Sequence, residues 1–147
     1  MSIDSTLFSA MAGSLVGASA TVAIAWITQK TLSKRELIRA EIRKREMLYG
    51  QFIGECAKLL MDSFTHTLEK PETLLPLLAL INRIRFSASP TVLVEAERLL
   101  RRITEQYFSR NLTIGEMREL ALSTDADPLR AFGEACRAEL DAINARA

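Results

Sequence analysis

The chain obeys one hydropathy rule up to Thr28 and another after it. From Leu7 to Thr28 no side chain carries a charge, a run of 22 residues. At about 1.5 Å per helical residue, such a run is long enough to cross a hydrocarbon layer of about 30 Å. Beyond it, apolar positions return at spacings of three and four, the mark of helices with one buried face.

One long helix is expected over residues 29–70, because proline is absent until Pro71. Leu37, Ile38 and Ile42 give its first apolar stripe, followed by Tyr49, Phe52, Ile53, Cys56, Leu59, Leu60 and Phe64. Gly50 and Gly54 lower helix propensity there, and they also permit close crossing by another helix. A second helix is predicted over residues 72–88. Its leucines and isoleucines lie on most sides, which marks it as the central buried helix, with Pro76 in its first turn or at a kink. Ser89-Pro90 reads as N-cap and first turn of a third helix with the stripe Val92, Ala96, Leu99, Leu100, Ile103 and Tyr107. The capping box Thr113-Ile114-Gly115-Glu116 starts a short fourth helix carrying Met117 and Leu120. A fifth begins at Asp127-Pro128 and presents Leu129, Phe132, Cys136, Leu140 and Ile143. No period-two segment of strand length appears. The fold class expected is all-α: an N-terminal transmembrane helix, a stalk helix continuing it, and a cytoplasmic helical bundle.

Charge sets the orientation. Net charge is only +1, but residues 30–46 hold seven basic side chains against Glu36, Glu41 and Glu46. That local excess directly behind the apolar run places the following side in the cytoplasm. A secretory signal would carry its cations before the apolar run, and here the chain starts Met-Ser-Ile-Asp. The expected organisation is a short extracytoplasmic segment at 1–6, a span at 7–28, a basic stalk at 29–48 and a helical domain at 49–147. This is the plan of a single-pass protein of a bacterial-type inner membrane with its N-terminus outside. Asn111-Leu112-Thr113 then faces the cytoplasm and is no glycan acceptor. Lys30, Lys34 and Arg35 are candidates for lipid headgroup contact, with Trp26 at the interface.

Within the span, Ser9, Gly13, Gly17, Thr21 and Ala25 recur every fourth residue. Helices in lipid associate through close backbone approach, so this small-residue stripe is the candidate oligomerisation surface. Ser14 and Ala18 widen it, while Met11, Leu15, Val22 and Trp26 point elsewhere.

Candidate chemistry changes the picture little. His66 is the only histidine, and without a second one no carboxylate–histidine spacing suggests a metal, so none is expected. Cys56 and Cys136 fall on apolar faces and read as small core hydrophobes in a reducing compartment. No phosphate loop, nucleophile elbow or zinc-protease motif occurs, and no catalytic residue or cofactor is assigned. Arg83 and Arg85, with Arg98, Arg101 and Arg102 on the next helix, form a candidate anion-binding corner. The pairs Glu97–Arg101 and Arg101–Glu105 favour a solvated face instead.

These features point to a non-enzymatic membrane protein that self-associates and presents its helical domain as a scaffold or accessory subunit. Two other readings fit the same features. One is a homo-oligomeric pore or effector gated by the cytoplasmic domain; the other is a membrane-anchored sensor or enzyme using the arginine corner. The partners expected are membrane lipid, further copies of the chain and a protein in the membrane or cytoplasm, and not nucleic acid.

Overall fold

The computed structural model describes the backbone of residues 4–123 and 127–146, and the side chains of residues 24–120, 122–123 and 127–146. Among these the chain is all-helical, without strands. The helices are α1 (Asp4–Thr65), α2 (Leu75–Ser87), α3 (Pro90–Tyr107), α4 (Ile114–Leu122) and α5 (Arg130–Asn144). A short 3-10 turn, Pro71–Leu74, precedes α2. Two compact units divide the chain, one within residues 1–40 and the other Glu41–Arg146.

No helix among the described residues is long and apolar enough to cross a membrane. Most of the span expected at 7–28 lies outside the described side chains.

The unit Glu41–Arg146 is built on one apolar core. Leu48, Tyr49, Phe52, Cys56, Leu59 and Leu60 of α1 meet Leu77, Ile81 and Ile84 of α2, the α3 stripe, and Phe132 and Cys136 of α5. Phe132 stacks at a tilt on Phe52, with ring centroids 4.7 Å apart, and meets Tyr49 edge-on at 6.0 Å. Full burial of such a ring contributes about 1.5–3 kcal/mol. The third helix matches its predicted stripe: Val92, Ala96, Leu99, Ile103 and Tyr107 are buried, and Leu100 is half-buried.

Three expectations need correction. The long helix ends at Thr65 and not at residue 70. Its last carbonyls are taken from outside: Leu112 N–H donates to Phe64 O at 2.8 Å, and the Asn111 side-chain amide donates to Thr65 O at 3.0 Å. The second helix is not the central one. Only Leu77, Ile81 and Ile84 are buried, while Leu75, Leu78 and Phe86 are exposed, because α2 packs along one face only. Its first three expected residues, 72–74, wind in the 3-10 turn, and Pro76 sits in the first turn of α2. The fifth helix starts at Arg130, since Asp127 and Pro128 form a turn in which Asp127 Oδ1 accepts from Leu129 N–H at 2.9 Å.

Candidate functional site

Polar groups collect at four places. At the stalk, Lys30 Nζ lies 5.1 Å from the centroid of Trp26, a cation–π pair that holds ammonium and indole together. Lys30, Lys34 and Arg35 are exposed. Of the small-residue stripe, Ser9, Gly13, Gly17 and Thr21 lie outside the described side chains; Ala25 is exposed.

The five arginines do not form one corner. Arg83 turns toward α1 and donates to Gln51 Oε1 at 2.9 Å. Arg85, two residues on, faces α3 and is taken by Asn82 at 2.7 Å and Glu97 at 2.9 Å. It shares a cleft with Arg101, Glu97 and Glu105, so carboxylates answer the cations there. Arg98 pairs with Glu95 within its own helix at 2.7 Å. Arg102 is exposed. Helical spacing explains the scatter: residues two apart on α2 point to nearly opposite sides.

The most connected polar group is Glu139 of α5, whose side chain is 8% exposed. Its carboxylate accepts from Tyr49 OH at 3.0 Å, from Ser89 Oγ at 3.0 Å and from Ser89 N–H at 3.1 Å. It also pairs with Arg45, whose Nε donates to Glu41 at 2.8 Å. One carboxylate therefore ties α1, the α2–α3 junction and α5. It borders a cavity of about 470 Å³ whose wall includes Arg45 and Arg146. Burial, partly offset by the Arg45 charge, pushes the Tyr49 phenol up to about 12, so it stays a donor. The sequence reading missed Glu139. Its signal was a carboxylate at i+7 from Phe132 and i+3 from Cys136, on the apolar face of α5.

The last place is the C-terminal end of α1. Tyr107 OH donates to Asp62 Oδ2 at 2.6 Å, and His66 Nδ1 lies 3.1 Å from Asp62 Oδ1. They border a cavity of about 420 Å³ with Thr65, Lys70 and Asn111. Burial, and then the bond to Asp62, raises the Tyr107 phenol well above its ordinary value. His66 thus sits exposed beside a carboxylate, with the Thr65 hydroxyl 2.9 Å from its Nδ1.

Neither thiol is a ready nucleophile. Burial pushes Cys56 and Cys136 up to about 12, which keeps both protonated at neutral pH. Among the described residues no group of three or more metal-ligating side chains comes together. No family model, curated protein or solved structure matches this chain.

Proposed function

We propose that this chain is a non-enzymatic, membrane-attached protein that self-associates through α1 and presents the unit Glu41–Arg146 as a scaffold or accessory subunit. One observation carries the self-association: the face of α1 opposite the core is open over Met47, Gly50 and Gly54, while Ala57 and Met61 further along it line a cleft with Met117 and Leu120 of α4. Met47, Gly50, Gly54, Ala57 and Met61 recur at alternating spacings of three and four. Met47 and Met61 are 64% and 62% exposed, and no neighbouring atom lies within 4 Å of where a Cβ would stand at Gly50 or Gly54. Each glycine costs a helix interior about 1 kcal/mol relative to alanine. Nothing described within the chain approaches closely enough to require either of them. A second α1 crossing at this point would use both, and the methionines on either side are adaptable contact residues.

Attachment to a membrane is supported by the 22 uncharged residues at 7–28 and the cations that follow. Lys30, Lys34 and Arg35 are the lipid-facing cations of this reading, with Ser9, Gly13, Gly17, Thr21 and Ala25 as its contact stripe within the lipid.

Sizing of the full chain in neutral detergent tests the proposal. The parent chain is expected to be oligomeric, Gly50→Leu and Gly17→Leu to shift it toward the monomer, and Leu15→Ile to leave it unchanged. A monomeric parent chain rejects the reading. Equal disruption by all three variants removes the two glycine faces from it.

A further inference from the structure

We infer that Lys44 and Arg83, with Phe86 beside them, form a binding site for an amphiphilic phosphate ester. The site lies wholly within Glu41–Arg146 and does not depend on how the chain is anchored. Glu41, Lys44, Arg45 and Leu48 of α1 and Arg83, Phe86 and Ser87 of α2 line one pocket of about 220 Å³.

Its charges sort into a neutralised pair and two cations in excess. Glu41 is the one carboxylate in the lining, and Arg45 Nε holds it at 2.8 Å. Arg45 is further engaged by the buried Glu139. Lys44 and Arg83 have no carboxylate within 4.0 Å among the described residues. Arg83 spends one N–H on the neutral amide oxygen of Gln51, which leaves four donors of its planar fork. Ser87 Oγ is committed to the carbonyl of Arg83 and takes no part. A guanidinium and an ammonium around one opening suit the oxygens of a phosphate: the first as a fork, the second as a point charge.

The apolar part of the pocket specifies the rest of the ligand. Phe86 is 91% exposed, the highest value among the large apolar side chains described, and Leu48, 4% exposed, belongs to the core. A ring left in water at the rim of a cationic pocket offers hydrocarbon contact immediately beside the phosphate position. Phosphate alone would leave that ring uncovered; an acyl chain or other apolar group esterified to it would cover it. The five-arginine corner expected from sequence is thereby replaced by a smaller site, in which Arg83 works with Lys44 from another helix.

The test uses the full chain in neutral detergent, titrated calorimetrically with dihexanoyl phosphatidic acid, glycerol 3-phosphate and dihexanoyl phosphatidylcholine. The phosphatidic acid is expected to bind saturably at one site per chain, more tightly than glycerol 3-phosphate and far more tightly than the zwitterionic lipid. Lys44→Gln and Arg83→Gln should each weaken it about tenfold or more, the loss of a charge-assisted contact. Arg102→Gln, an equal loss of charge on an exposed stretch of α3, should not. Phe86→Ser, an exposed change that leaves the core intact, should weaken the phosphatidic acid and leave glycerol 3-phosphate unaffected. Absence of saturable binding would overturn the site, as would equal weakening by Arg102→Gln. Glycerol 3-phosphate binding as tightly as the lipid would overturn its amphiphilic half.

Discussion

The carboxylate of Glu139 accepts from three donor groups of Tyr49 and Ser89 and faces the Arg45 guanidinium, all in a place nearly closed to water. Truncation would leave these donors short of an acceptor and Arg45 a half-buried charge answered only by Glu41. Glu139→Ala is therefore expected to cost about 3–5 kcal/mol, read from urea unfolding of the full chain, with Glu139→Gln losing less. Glycine 54 gives the opposite sign. With nothing described in its own chain within 4 Å of its missing Cβ, Gly54→Ala should raise stability by about 0.5–1 kcal/mol where the chain is monomeric, as in the Gly17→Leu background. In the oligomer, where a second α1 is proposed to cross here, the same change should lower it, and a gain in both backgrounds would count against that crossing. The sequence discloses half of each case. A glutamate on the Phe132–Cys136 face is visible as an anomaly, and so is a glycine pair in a helix. What meets them is not visible, because the partners of Glu139 stand 50 and 90 residues away.

Helix starts were readable where they are made locally. Ser89 caps α3 ahead of Pro90, and Thr113 and Glu116 form a full capping box on α4. Helix ends were less so, since the stop at Thr65 depends on Asn111 and Leu112 from another part of the chain. The central role expected of α2 failed for a related reason: leucine content reports how much could be buried, not how many neighbours arrive. The α4 box makes a pH prediction. The Thr113 backbone N–H, and then Arg110, hold the Glu116 carboxyl at about 2, below its ordinary 4.5. A depressed folded value means that its stabilisation is complete above about pH 4.5 and is lost as pH falls from there through about 2. Hydrogen exchange of the α4 amides should accelerate across that window relative to α3. Exchange that changes equally in Thr113→Ala would detach the effect from the box.

For the whole chain, the distribution of charge argues a topology. Seven cations follow the uncharged run, so residues 29–147 are expected on the cytoplasmic side. Single cysteines placed at either end of a chain with Cys56 and Cys136 replaced, labelled with an impermeant maleimide, should react from outside at the N-terminus only. External labelling at the C-terminal tag would reverse the assignment and with it the dismissal of Asn111 as a glycan acceptor. The all-helical class was legible because five amphipathic periods outnumber every other signal. The arginine corner was not, because proximity in sequence says little about which side of a helix a guanidinium leaves from. Arg45 and Arg146 border the same cavity beside Glu139, so the first and last turns of the folded unit are neighbours. A unit whose two chain ends meet can be circularly permuted with a short linker. By the same geometry, a fluorophore attached after Arg146 would report on events where α1 enters the unit, with no change to the sequence of that helix.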